Sequence, residues 1–136
     1  MFMRAIFLCG FGLLAVTAQA QTQTPRAFPS HVEWRLVSIN AAPARSQDPA
    51  SLRIEAEGGR AFGSTGCNRW MANATGMDER LRFTPLAVTR RYCAGAGGEI
   101  ERQFLGVLNA APLWRLQRGA LVLTSGKTRL RFKRAG

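Results

Sequence analysis

Gly63-Ser64-Thr65-Gly66-Cys67-Asn68-Arg69-Trp70 is the stretch on which the reading of this chain turns. It lies between two strand-like segments. Gly63 and Gly66 permit a positive φ or a close backbone approach. Asn68 tolerates a left-handed conformation or bonds neighbouring backbone. Cys67 is placed to staple the turn to another segment. Read for chemistry instead, Cys67 would be a nucleophile beside backbone donors, and a thiolate needs a base to form it. The one histidine, His31, stands far away in sequence, and no acid follows the turn closely. The stretch therefore reads as a structural turn, with no catalytic residue.

Strand patterns spread outward on both sides. Upstream, Leu52, Ile54 and Ala56 alternate with Arg53, Glu55 and Glu57, and Gly58-Gly59 turns the chain back through Arg60-Ala-Phe-Gly63. Earlier, Trp34, Leu36 and Ser38 share one strand face, with Arg35, Val37 and Ile39 on the other; a proline-marked loop follows from Asn40 to Ala50. Downstream, Ala72 to Glu79 reads as a polar turn, and Arg80-Leu81-Arg82-Phe83 alternates again. Gly95-Ala-Gly-Gly98 leads to a helix from Glu99 to Ala110. Its apolar face is Ile100, Phe104, Val107 and Leu108, and Glu99 and Glu101 sit at its positive end. Leu113–Gln117, Ala120–Thr124 and Thr128–Lys133 then form a three-stranded meander. The expectation is an α+β fold: a mostly antiparallel, barrel-like sheet packed by one α-helix. Trp34, Trp70 and Trp114 are expected in its core.

Residues 1–20 have the form of a secretory signal peptide. Arg4 is the positive n-region, Ala5 to Val16 an apolar run too short to span a bilayer, and Ala18-Gln19-Ala20 the cleavage site. Cys9 lies inside the apolar run, so no lipid-bearing cysteine is expected. Residues 21–31 read as a flexible linker and 32–134 as the domain. Export to the periplasm or beyond would leave two cysteines, Cys67 and Cys93, an even count that favours a disulfide. Two buried reduced thiols and a reactive thiol are the alternatives.

The ordered set Gly66-Cys67-Asn68-Arg69, Leu81-x-Phe83 and Pro85-Leu86-Ala87-x-Thr89-Arg90-x-x-Cys93 resembles the META domain of HslJ-like bacterial proteins. Glu101-x-x-Phe104-Leu105-x-x-Leu108, Gly119-x-Leu121-x-Leu123 and Leu130-x-Phe132 continue the likeness. Trp34-x-Leu36 with Ile39-Asn40 resembles the family's opening strand. The chain departs from the pattern after Trp70, where Met71-Ala72 and Ala74 replace Ser-Gly and an aromatic residue. The resemblance implies a cracked-barrel fold, a location in the envelope or outside the cell, and an association with stress or antibiotic tolerance. It supplies no catalytic residues.

The formal net charge is +11, carried by 17 arginines and 2 lysines against 8 acidic residues. Such a surface attracts polyanions. Arg35, Arg53, Arg80, Arg82, Arg115, Arg129, Arg131 and Lys133 all oppose apolar neighbours in the strand pattern, so the register would stud the barrel exterior with charge. They are the candidate residues for docking on anionic lipid or lipopolysaccharide; arginine enrichment by composition alone is the plainer account. One histidine and scattered carboxylates make no metal set, and no phosphate loop, dinucleotide fingerprint or hydrolase elbow is present, so no metal or cofactor is expected. The reading that results is a non-enzymatic, monomeric envelope factor without specific nucleic-acid binding. It would recognise an anionic partner on its basic exterior or an apolar one in a cleft between helix and sheet. A pilot- or chaperone-like module using an open sheet edge is the alternative, and a thiol-dependent enzyme a more distant one.

Overall fold

Alternating apolar and polar side chains make strands the main regular structure of this chain. The computed structural model describes residues 12, 18–20 and 27–136. Its elements run β1 (Trp34–Ile39), β2 (Ala42–Pro43), β3 (Ser51–Ile54), β4 (Arg60–Ser64), β5 (Arg69–Thr75), β6 (Arg82–Phe83), β7 (Ala87–Val88), α1 (Ala96–Asn109), β8 (Leu113–Gln117), β9 (Ala120–Ser125) and β10 (Thr128–Arg134). All strands join one sheet in the order β6-β5-β4-β3-β1-β10-β9-β8, with β2 beside β1 and β7 beside β5. The pairings are antiparallel. The sheet curls into a half-barrel with α1 packed against it, as the α+β expectation requires. Its two ends touch through a bridge between Arg80 and Leu113, flanked by Leu81 N–H on the Pro112 carbonyl and Trp114 N–H on that of Glu79. The signal-peptide reading and residues 21–26 fall almost wholly outside the described residues.

The core fills the space between helix and sheet. Trp34, Trp70, Phe104 and Phe132 are its largest fully buried side chains. Trp70 meets Phe83 edge-on at 5.6 Å and Phe104 at 6.0 Å, and Phe104 meets Phe132 at 6.2 Å. Each such aromatic contact contributes roughly 1 kcal/mol beyond area burial. These rings fill the centre of the layer between helix and sheet, and a hollow of about 430 Å³ lies at its edge, lined by Ile39 and Pro43 on the sheet side and Ala96, Ile100 and Gln103 on the helix. The indole N–H groups of Trp70 and Trp114 are satisfied by the Ser51 and Met77 carbonyls.

Four boundaries differ from the sequence reading, each for a local reason. In β1, a bulge between Leu36 and Ser38 inserts one residue against β10, so Ile39 rather than Ser38 joins Trp34 and Leu36 in the core. The polar stretch after Trp70 is not a turn at first. Strand β5 runs to Thr75, and the small side chains of Ala72 and Ala74 are what its core face can accommodate. Helix α1 begins at Ala96, three residues before Glu99, because its glycines are packing points. A Cβ on Gly98 would lie 2.2 Å from the Cys93 carbonyl oxygen. Finally, the range 21–31 overlaps the packed domain. Phe28 is 4% exposed and stacks edge-on against Trp114 at 5.1 Å, and the His31 N–H donates to the Ile54 carbonyl.

Two hairpin loops have positive φ at both residues: Asn40-Ala41 (49° and 67°) and Arg118-Gly119 (52° and 78°). Their backbone twist matches that of the flanking strands, so short reversals suffice to build the sheet. Replacing Phe28 by Ala is expected to destabilise the domain by about 3 kcal/mol, read as a lowered midpoint in denaturant. An unchanged midpoint would mean that the segment before His31 is not part of the cooperative unit.

Candidate functional site

The quoted stretch is split between two strands and the loop joining them. Ser64 closes β4 opposite Arg69 of β5, leaving Thr65-Gly66-Cys67-Asn68 as the connection. Gly63 lies within β4, where a Cβ would come 2.1 Å from the Ser51 carbonyl oxygen, so close backbone approach explains it. Gly66 takes φ 90° and supplies the left-handed residue of the turn.

Asn68 and Thr65 organise the turn. Thr65 Oγ1 accepts from the N–H groups of Cys67 (3.2 Å) and Asn68 (2.7 Å), and its own N–H donates to the Asn68 carbonyl (2.8 Å). The Asn68 amide is 6% exposed and faces the segment before the helix. Its Nδ2 donates to the Arg91 carbonyl at 2.8 Å, and its Oδ1 accepts the Arg91 N–H at 2.7 Å, as a peptide group of a neighbouring strand would. Nδ2 also donates to Glu101 Oε2 at 2.9 Å, and Glu101 in turn accepts from the Thr65 hydroxyl. Glu101 was expected to stabilise the helix start. It instead reaches from α1 into the turn, while Glu99 stays on the helix surface with Arg102 and Gln103. Thr65 carried no signal in the sequence reading, because its role depends on a carboxylate 36 residues away.

Cys67 and Cys93 are joined, with Cα atoms 5.9 Å apart and 26 residues of separation. The disulfide pins the turn to the strand-like segment before α1, beside the Arg91 guanidinium, which donates to the Cys67 carbonyl. Both sulfurs are consumed in this bond, and the carboxylate beside it is bonded to Thr65 and Asn68. Among the described residues, no group of three or more His, Cys, Asp or Glu is placed to hold a metal ion.

A family model for the META domain matches residues 28–136, from the buried Phe28 to the end. The chain belongs to the META-domain family. No curated protein matches the sequence. One solved NMR structure superposes on this META domain with a TM-score of 0.65 at 26% identity, covering 76% of this chain and 89% of that one. An NMR structure of a protein from Burkholderia xenovorans does so with a TM-score of 0.60 at 23% identity, covering 85% of this chain and 94% of that one.

The second candidate surface is the basic exterior of this META domain, and the structure sorts its residues. Arg35 and Lys133 are direct partners across β1 and β10. Arg131 and Arg115 flank Val122 from β10 and β8, and Arg129 stands opposite Thr124. Arg35 and the three β10 residues lie on adjacent strands, and Arg115 stands one strand further on, across β9. Arg82 sits on β6 at the far end of the sheet, and Arg80 donates to the Ala111 carbonyl near the closing bridge. Arg53 is taken up by Glu55 at 2.9 Å. That hydrogen bond is the main cause that holds the Glu55 carboxyl below its ordinary range, and one with His31 adds to it. The pairing contributes above the ordinary carboxylate range and is lost as pH falls through the lowered value.

Breaking the clip by Cys67→Ser is expected to cost the oxidised protein about 3.5 kcal/mol, the loop-closure value for a bridge of this span. Cys93→Ser should match it, and reductant should bring the native protein's melting temperature down to theirs. Asn68→Ala, which strands the Arg91 N–H and carbonyl, is expected to cost roughly 3 kcal/mol with the disulfide still formed by mass spectrometry. A loss of only a few tenths would show that water replaces the amide.

Proposed function

We propose that this META-domain protein is a non-enzymatic exported factor that binds the anionic surface of the bacterial envelope and thereby contributes to stress tolerance. The observation that carries the reading is the gathering of Arg35, Arg115, Arg129, Arg131 and Lys133 on β1, β10 and β8, with β9 between the last two in the sheet. After Glu101 the sequence contains no acidic residue, while Arg102, Arg115, Arg118, Lys127, Arg129, Arg131, Lys133 and Arg134 are all basic. Among the described residues, Arg115, Arg129, Arg131 and Lys133 have no carboxylate partner, while Arg35 is paired with Glu33 at 3.5 Å. Like charges placed directly across two strands, as Arg35 and Lys133 are, weaken the sheet. A face that leaves four of these five cations without an internal carboxylate suits an external anion. Lipid head groups and lipopolysaccharide offer such anions in a dense plane, where each Lys or Arg contributes about 1 kcal/mol.

The test is vesicle sedimentation at low salt. Changing Arg129, Arg131 and Lys133 together to Gln should weaken binding to anionic vesicles about a hundredfold with little change in melting temperature. Raising the ionic strength should weaken the native protein's binding in the same way. Unaltered binding by the triple variant would remove the basic face from the account.

A further inference from the structure

The basic face contains a hollow whose floor is unlike the rest of it. Val122 points away from the core, between the inward-facing Leu121 and Leu123, and is absent from the core cluster; yet it is only 1% exposed. Its direct neighbours across the two flanking strands are Arg131 and Arg115. Arginine stems cover apolar surface while their charged heads stay at the rim. The hollow above this floor has a volume of about 610 Å³, and Arg129, Arg131, Lys127, Thr124 and Ser38 line it with Val122. Its lining therefore combines three cations and two hydroxyl groups, and it includes no carboxylate.

We propose that this hollow is a subsite for a phosphate monoester presented on a lipid head group. The proposal rests on the reading of the basic face as a membrane-docking surface, and it names the group that the face selects. A monoester at neutral pH carries close to two negative charges and three terminal oxygens. A phosphodiester carries one charge and two such oxygens. Two guanidinium forks and an ammonium match the first in charge and in donor number, and the threonine and serine hydroxyls add neutral donors. The lipid is favoured over free phosphate because the charge continues past the hollow. Arg115 and the Arg35–Lys133 pair, outside the lining, stand ready for neighbouring head groups.

The experiment compares neutral phosphatidylcholine vesicles doped with phosphatidate, a monoester, or with phosphatidylglycerol, a diester, at matched surface charge. The native protein should bind the phosphatidate vesicles about tenfold more tightly. The pair Lys127→Gln with Arg131→Gln should abolish that preference. The pair Arg35→Gln with Lys133→Gln removes the same charge outside the hollow and should weaken both vesicles alike, leaving the ratio intact. Thermal melts establish that the variants fold; should the Arg131 change unfold the chain, Lys127→Gln alone, in the exposed β9–β10 turn, must lower the ratio. Equal binding of the two charge-matched vesicles, or a ratio that survives loss of Lys127 and Arg131, would overturn the subsite while the basic face stands. Absence of binding to either vesicle would overturn both readings. Full displacement by glycerol 3-phosphate at concentrations comparable to the vesicle lipid would overturn the lipid as the source of the phosphate.

Discussion

The side-chain amide of Asn68 is the contact on which the rest of this domain depends. Its two bonds to the Arg91 backbone dock the segment before the helix onto the β4–β5 turn. A third, to Glu101, ties the same turn to the first half of α1. Buried amides left without partners are costly, and here the donors and acceptors are satisfied by the segment before the helix and by α1. The Cys67–Cys93 bond joins two of these parts, the turn and the segment before the helix, by covalent means. Gly66, Gly97 and Gly98 leave the space for it. A Cβ on Gly97 would stand 3.0 Å from the Gly66 carbonyl oxygen, so turn and helix meet backbone to backbone. Once this corner is set, Ile100, Phe104, Val107 and Leu108 face the sheet with no freedom in their register.

Much of this could be read from the residues. The period-two alternation in Leu52-Arg-Ile, Leu130-Arg-Phe and their partners fixes which face is buried, and α1 declares itself through the spacing of Ile100, Phe104 and Leu108. What could not be read depends on contacts made far along the chain. Ala72 and Ala74 look polar by company, yet they lie in the core because bulky Trp70 and Phe83 leave room only for methyl groups. The bulge at Val37 that turns Ile39 inward is set by pairing with β10, about ninety residues later. Phe28 looks like part of a polar tail until Trp114 provides a ring to stack on.

The surface follows the same division. Alternation identifies the outward arginines, but it cannot tell which are neutralised. Arg53 and Arg80 were equal candidates with Arg131 in the sequence; the fold gives Arg53 to Glu55 and Arg80 to a carbonyl. The sequence does carry one signal of this, the complete lack of acidic residues beyond Glu101. Because β8, β9 and β10 are neighbours, that linear asymmetry becomes a spatial one. Val122 adds a feature that no pattern would disclose. An apolar residue on the solvent side of a strand usually marks exposure, and here it marks a covered floor beneath charged side chains.

The pairing of β1 with β10 has a consequence for biogenesis. Strand β1 pairs with β2 and β3 nearby in sequence but also with the distant β10, so the middle of the sheet remains open until β10 is available. Contacts of such long sequence separation form late, after the local hairpins. A chain still emerging from a ribosome or a narrow pore therefore has hairpins but no closed core. It stays threadable until β10 pairs with β1 and β9, and that pairing turns a pliable thread into a rigid body.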